Sequence, residues 1–204
     1  MKRWYIYCVV FIISVILGWS LEHLIRPKQE FSFNQLLMLN DQSNELINQQ
    51  LSNLINALPQ VARVRVGLFH GPGRITRLNY RDFQFDVVNL KSAQGKDPGP
   101  TLTDQSLGQW DDFIAPMFDG KCIVANVKDL TSPESINRLK ALHASSFIGC
   151  PINNHRGDLI GGLFAIWDTT ALPEPLSDAE SLLRSAAPKI YSAIEIRLQA
   201  SERF

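Results

Sequence analysis

The feature that most constrains this chain is an apolar segment near its N-terminus. Trp4 to Leu21 is eighteen residues long and contains no formally charged side chain. As a helix it would span roughly 27 Å, close to the hydrocarbon thickness of a bilayer, which is about 30 Å. Trp4 and Trp19 stand near its two ends, where interfacial aromatic rings are favoured, and Ile12 and Ile13 lie at its centre. This pattern predicts a transmembrane anchor over residues 4–21.

The flanking charges predict the orientation of this segment. Lys2 and Arg3 precede it, and positive charge favours the cytoplasmic side. We therefore expect residues 1–3 in the cytoplasm and everything after residue 21 outside it. A cleaved signal peptide and a buried core helix are the alternatives. Gly18 and Ser20 have the small side chains that a signal peptidase needs, but the apolar run is long for the hydrophobic region of a signal peptide. A buried core helix of a soluble protein is disfavoured because no face of the segment is polar.

The remainder of the chain is long enough for one substantial domain with a core of its own. Twenty basic and twenty acidic side chains balance, so no basic excess indicates a nucleic-acid partner. After Cys8 in the apolar segment, Cys122 and Cys150 are the remaining cysteines. In an oxidising compartment these two could form a disulfide; the alternative is two small buried side chains in a core.

A long amphipathic helix is predicted between the apolar segment and the domain. After a link over residues 22–31, a capping box begins at Ser32, and the helix should end at Leu58, before Pro59. Apolar and amide side chains recur at spacings of three and four. The helix either lies on the domain's own sheet, which we favour for residues 47–58, or pairs with a second copy. The candidate oligomer seam comprises Leu37, Asn40, Asn44, Ile47 and Leu51.

The sequence from residue 59 onward predicts an α+β domain. Val64, Val66 and Leu68 alternate with Arg63 and Arg65, which is typical of a strand with one buried face. Further strands follow over 74–90 and 121–127, and a hairpin turns around residues 153–157. With short helices between the strands and a last helix from residue 177, the order indicates an antiparallel sheet with flanking helices. Residues 91–108 are predicted to form a long loop.

A search for catalytic residues finds none. The histidines His23, His70, His143 and His155 lack metal-ligand spacing, and Ser145 is not in a nucleophile elbow. Two adjacent acids at 111 and 112 are ordinary partners of a helix dipole. We therefore predict no enzyme activity, no catalytic or cofactor-binding residues, no metal site and no cofactor.

The predicted hairpin resembles that of a GAF-type sensory domain. Residues 146–152 read SFIGCPI and residues 157–163 read GDLIGGL, with Pro151 in the first strand and two glycines in the second. The resemblance implies a GAF-like domain over residues 59–204 with a five-stranded, mainly antiparallel sheet. The family's bilin-binding Cys-His pair and its cyclic-nucleotide signature are missing from this sequence, so no particular ligand is implied.

A narrower resemblance is to the T-even phage type of holin. It rests on an anchor followed by a long polar helix, the run Thr103–Gly108, the pair Cys150–Pro151, and Trp167 near the end of the last strand. It implies a protein that oligomerises in the bacterial inner membrane and permits timed lysis, with a periplasmic domain regulated by an antiholin or another periplasmic protein. Only three residues precede the anchor, and Cys122 would have to replace the family's second periplasmic cysteine.

Two hypotheses for the function follow. The first is a phage holin. The second is a membrane-tethered GAF-like sensor, or a module that binds a ligand or a protein, without lytic activity.

Overall fold

The computed structural model describes residues 41–130, 133–169 and 175–201. The apolar segment Trp4–Leu21, including Ile12, Ile13 and Trp19, lies outside the described residues, as do Leu37 and Asn40. Within the described ranges, no helix combines the length and the apolar character needed to cross a membrane.

Six antiparallel strands form one sheet, and helices cover both of its faces. The α-helices of the described part are α1 (Asp41–Ala57), α2 (Asp111–Ile114), α3 (Pro133–Ala141) and α4 (Leu176–Ser201). The strands are β1 (Arg63–His70), β2 (Gln84–Ser92), β3 (Gln105–Ser106), β4 (Ile123–Asn126), β5 (Ser146–Asn153) and β6 (Leu159–Trp167). Their order across the sheet is β3-β2-β1-β6-β5-β4, so β1 and β6 are central.

The prediction of five strands is wrong, because the sheet has six. The additional strand is β3, in which Gln105 and Ser106 pair with Phe85 and Gln84 of β2. It lies inside the stretch predicted to be a loop, residues 91–108. Two residues are too few to produce the alternation by which a strand is read from a sequence, so β3 is set by its neighbour β2 rather than by its own pattern.

The two long helices, α1 and α4, pack on one face of the sheet. In α1, apolar residues at spacings of three and four are almost completely buried: Ile47, Leu51, Leu54 and Leu58 just beyond its end. Every second residue of the strands packs against these helix residues, among them Val64 and Val66 of β1 and Leu163 of β6. Trp167 at the end of β6 is fully buried, and its indole Nε1 donates to the carbonyl oxygen of Pro59, 2.9 Å away.

A second apolar layer covers the opposite face of the sheet. It is built from short elements: a 3-10 turn at Leu107–Trp110, then α2, a second 3-10 turn at Ala115–Asp119, and α3. Gly120 closes the second of these turns with φ at 68°, in the left-handed region that favours glycine. Because β1, β5 and β6 are covered on both faces, most of their side chains are buried, on either face of the sheet.

Candidate ligand-binding site

A cavity of about 50 Å³ lies between the sheet and the layer of short elements. This is about a third of the ~150 Å³ that holds a benzene molecule in an engineered protein cavity. Its walls combine residues of the sheet with residues of the covering layer: Arg65, Phe69, Phe85, Val87, Leu102, Trp110, Phe113, Ile114, Leu139, Leu142, Phe147, Phe164 and Ile166. Twelve of these thirteen side chains are apolar or aromatic, as in most small-molecule sites.

Aromatic rings in edge-to-face contact build one side of the cavity. The Trp110 ring stands 5.8 Å from Phe85 at an interplanar angle of 81° and 6.0 Å from Phe113. Phe113 in turn lies 5.0 Å from Phe147 at 78°. Such tilted pairs stabilise by about 0.5–1.5 kcal/mol each beyond the burial of their area, so this wall is well defined.

Glycines make room for another ring of the lining, that of Phe164. A Cβ placed on Gly162 would lie 2.5 Å from this ring, and one on Gly149 would lie 2.8 Å from it. Gly67 of the neighbouring strand β1 would come within 3.5 Å. Because strands β1, β5 and β6 carry no side chain at these three points, the Phe164 ring can occupy the space over them.

One cavity-lining residue is charged. Arg65 is only 2% exposed, and so is Arg63, two residues earlier on the same face of β1. The prediction that these arginines form the solvated face of a half-buried strand is therefore wrong. The reason is that α3 and the loop around residues 97–99 cover this face, so that both faces of β1 are inside the protein.

Arg63 is used to fix neighbouring backbone. Its Nη2 donates to the carbonyl oxygens of Leu142 and His143, the latter at 2.6 Å, just past the C-terminal end of α3. Its Nη1 donates to the carbonyl oxygen of Asp97 at 3.0 Å. A cation at the end of a helix also meets the negative end of the helix dipole. The fold thus uses both terminal nitrogens of Arg63, and only its buried Nε has no hydrogen-bond partner among the described residues.

Arg65 is much less satisfied. Its Nη2 donates to the carbonyl oxygen of Pro98 at 2.7 Å, but its Nε and Nη1 are buried without a hydrogen-bond partner among the described residues. Those two nitrogens carry three of the five N–H groups of a guanidinium. In the same part of the chain, no carboxylate forms an ion pair with either Arg63 or Arg65.

Burial acts on both guanidinium groups, and the charge of Arg63 acts on Arg65 as well. Burial lowers the pKa of Arg65 to about 10, with the positive charge of Arg63 as the second cause and the negative charge of Asp97 opposing both. Burial also lowers the pKa of Arg63, and the negative charges of Asp97 and Asp168 raise it in opposition. A pKa of about 10 keeps Arg65 protonated at neutral pH, so this face of the sheet holds two buried positive charges.

Trp110 adds another unpaired donor to the cavity wall. It is 9% exposed, and its indole Nε1 has no hydrogen-bond partner among the described residues. Outside the cavity, the guanidinium carbon of Arg138 lies 5.6 Å from the centre of the Trp110 ring, within the range of a cation–π contact. The buried polar atoms at this cavity that lack partners are therefore N–H donors.

The two cysteines of the domain lie on adjacent strands. Cys150 is in β5, and Cys122 directly precedes β4, which pairs with β5. Their sulfur atoms form a disulfide, with the Cα atoms 4.2 Å apart. Cys150 is completely buried in the core beneath α1 and α4, on the face of the sheet away from the cavity.

Three of the five residues of the predicted oligomer seam lie in the part of the chain that the structure describes. Ile47 and Leu51 are fully buried in the core of their own chain, and Asn44 is half-buried. The other two residues of the seam, Leu37 and Asn40, fall before residue 41.

Three of the four histidines lie in the described residues, and the structure gives each a carboxylate neighbour. His70 Nε2 is 3.4 Å from Asp86 Oδ1 and 4.0 Å from Asp104 Oδ1, so the fold brings together ligand types that the sequence keeps far apart. His155 Nε2 lies 2.7 Å from Glu195 Oε2 of α4, and its ring stands edge-on to Tyr191. His143 Nδ1 is 4.0 Å from Asp97 Oδ2, at the surface.

Comparison with known proteins identifies the fold. No protein-family profile and no curated protein matches the sequence. Solved structures do match: the photoproduct state of GAF3 from Slr1393 of Synechocystis sp. PCC6803 has a TM-score of 0.60 at 13% identity, over 79% of this chain and 99% of that one. The red-absorbing state of the red/green cyanobacteriochrome NpR6012g4 gives 0.58 at 16% identity, over 77% and 97%.

A third structure agrees with these two. The GAF domain of PixJ from Thermosynechococcus elongatus, in its blue-light-absorbing form, has a TM-score of 0.56 at 12% identity, over 78% of this chain and 91% of that one. At such identities the likeness establishes the fold alone. The domain has an α+β, GAF-like fold with an antiparallel sheet between helices.

The resemblance to T-even phage holins is wrong. The domain predicted from its sequence to be the periplasmic part of a holin is instead similar to GAF domains, and the matches cover more than three quarters of the chain. The short motifs behind that resemblance have roles in this fold: Cys150–Pro151 lies in β5, and the Trp167 indole ties β6 to the backbone at Pro59. The matches favour the second hypothesis, a GAF-like sensor or ligand-binding module, over the first.

Proposed function

We propose that this domain is a non-catalytic module that binds a small molecule in the cavity described above. The observation that supports it best is the cavity itself, which is walled by aromatic rings and contains buried N–H groups without partners. A purely structural core would gain by filling such a space and pairing such donors. The GAF-like fold adds to this, since one of the structures that it resembles is described with bound biliverdin IXa.

The ligand of this chain is smaller than a tetrapyrrole. A cavity of about 50 Å³ is a third of the size that holds benzene. The cysteines that the structure describes are joined in a disulfide on the other face of the sheet, so neither offers a thiol to a bilin at this cavity. We propose that binding at this site is reversible and non-covalent.

We also propose that the domain works outside the cytoplasm. The disulfide between Cys122 and Cys150 supports this location, because such bonds persist mainly in oxidising compartments. A sensor in that position would report on solutes of the periplasm or the medium.

A matched pair of cavity variants tests the binding function. Val87 lines the cavity, and Val88, its neighbour on β2, packs against the core on the other face of the sheet. Thermal unfolding of the purified chain is measured with acetate, acetamide and ethylamine in turn, which are small enough for a cavity of this size. We expect at least one of them to raise the Tm of the wild type and of Val88→Phe but not of Val87→Phe, whose added ring fills the cavity. If none of the three raises the Tm of the wild type, the proposal is wrong.

A further inference from the structure

The unpaired polar groups of the cavity indicate what kind of ligand it accepts. Among the residues that line it, the buried polar atoms without partners are Arg65 Nε, Arg65 Nη1 and Trp110 Nε1. All three are donors, and neither side chain has an acceptor at these atoms. A ligand that satisfies them must bring acceptor oxygens of its own.

The charge of the site narrows the class of ligand further. Arg65 is a buried cation that forms no ion pair among the described residues; the charge of Asp97 acts on it without one, and a second buried cation, Arg63, lies two residues away. A buried charge without an ion pair is unfavourable, whereas a carboxylate would pair with the guanidinium through short, charge-assisted hydrogen bonds. An amine would be repelled, and an uncharged amide would supply an acceptor but no counter-charge.

The rest of the lining decides between an inorganic anion and an organic one. Apart from Arg65, the walls are aliphatic and aromatic side chains, which stabilise hydrocarbon and offer no donors for further oxygens. A phosphate or sulfate would leave several of its oxygens against these apolar walls. A single carboxylate on a short hydrocarbon chain places its charge at Arg65 and its carbon atoms among the rings.

We propose that the cavity binds one of the smallest monocarboxylates, such as formate or acetate, with its carboxylate paired to the Arg65 guanidinium and any methyl group among the rings of Phe85, Trp110 and Phe113. This inference rests on the proposed binding function and adds the class of ligand to it. The cavity volume of about 50 Å³, a third of the ~150 Å³ that holds benzene, excludes acids as large as benzene.

The competing explanation is that Arg65 only holds the loop that covers it. The guanidinium donates to the Pro98 carbonyl, and a Cβ on Gly99 would lie 2.7 Å from Nη2, so the loop does rest on this side chain. That role uses one N–H of five and requires no charge. The two explanations differ in one measurable respect, because only a ligand site distinguishes an acid from its uncharged amide.

Isothermal titration of the full chain with acetate, acetamide and sodium chloride tests the proposal. The variants are Arg65→Met and a control, Arg184→Met, which removes an equal charge from the half-exposed side chain of Arg184 on α4. We expect the wild type and Arg184→Met to bind acetate at least about tenfold more tightly than acetamide, the size of one charged hydrogen bond, and Arg65→Met to lose this preference.

Each other outcome is decisive. Equal affinity of the wild type for acetate and acetamide would overturn the carboxylate inference and leave the binding function standing. Binding of neither compound would overturn both. Chloride that binds as tightly as acetate would show an inorganic anion site and also overturn the inference. If Arg65→Met does not fold, two results for the wild type decide between the explanations: its preference for acetate over acetamide, and the shift of its Trp110 indole N–H resonance on addition of acetate.

Discussion

Arg63 and Arg65 lie two residues apart on the same buried face of β1, yet the fold satisfies Arg63 more fully than Arg65. Among the described residues, Arg63 has only its Nε without a partner, whereas Arg65 has both Nε and Nη1 without one. Arg63 donates to three backbone carbonyl oxygens, those of Asp97, Leu142 and His143, whereas Arg65 donates to one, that of Pro98. Both are 2% exposed. The first arginine therefore belongs to the architecture, and the second retains donors for something that the chain itself does not supply.

This difference predicts unequal effects of the two substitutions on stability. Arg63→Met should lower the free energy of unfolding by about 2–4 kcal/mol, because buried carbonyl oxygens at the end of α3 lose their donor. Arg65→Met should change it by less than about 1 kcal/mol, or raise it, because an apolar side chain replaces an unpaired buried charge. Urea unfolding of both variants without added ligand measures this. A loss at Arg65→Met equal to that at Arg63→Met would contradict the assignment.

The loop over the arginines can be tested by a pair of glycines. Gly99 and Gly95 both have positive φ, 69° and 75°, so alanine is strained at either position. A Cβ at Gly95 meets nothing within 4 Å, whereas one at Gly99 would overlap Arg65 Nη2. We expect Gly99→Ala to cost about 1–3 kcal/mol more than Gly95→Ala in urea unfolding. Equal costs would show that the loop does not rest on Arg65.

The disulfide should contribute strongly to stability. Cys122 and Cys150 are 28 residues apart, and closing such a loop stabilises by about 3–4 kcal/mol in the chain-entropy model. Reductant should lower the free energy of unfolding by this amount in the wild type and leave a Cys122→Ala/Cys150→Ala variant unchanged.

A thiol count provides the control for that experiment. The chain has three cysteines, so the denatured wild type, prepared without reductant, should titrate a single thiol, that of Cys8. Three thiols would mean that the bond does not form in the isolated protein.

Binding of acetate should depend on the ionisation of the ligand and not on that of the protein. The pKa of Arg65, about 10, keeps the guanidinium charged from pH 6 to pH 9, so the affinity should be constant over this range. Below about pH 5 the ligand's carboxyl, comparable to that of Glu with a pKa of about 4.3, takes up a proton and the affinity should fall. Titrations across this range test the assignment. An affinity that changes between pH 6 and pH 9 would indicate a titrating group other than Arg65.

Much of the fold could be predicted from the sequence because its elements carry strong local signals. The hairpin of β5 and β6 follows from apolar runs that flank a turn, and α3 begins at Pro133, a residue suited to the first helical position. The strand β3 could not be predicted, since Gln105 and Ser106 are extended only because β2 pairs with them.

The candidate site could not be predicted for a different reason. Alternation in β1 places Arg63 and Arg65 on one face correctly, but it does not say whether that face meets water, and buried arginines are rare enough that exposure was the natural expectation. One feature of the sequence did indicate that this face of β1 is buried. In β5 and β6, residues on both faces are apolar, which is typical of strands covered on both sides, and β1 is hydrogen-bonded to β6.

The central claim is that the cavity beside Arg65 is a ligand site whose unpaired donors meet the ligand. The most direct measurement is the indole Nε1–H resonance of Trp110 in a ¹H–¹⁵N spectrum, assigned with a Trp110→Phe variant. Titration with acetate should shift this resonance in a saturable manner in the wild type, and the shift should be lost in Arg65→Met. A resonance that stays in place while the wild type is saturated with acetate would contradict the account.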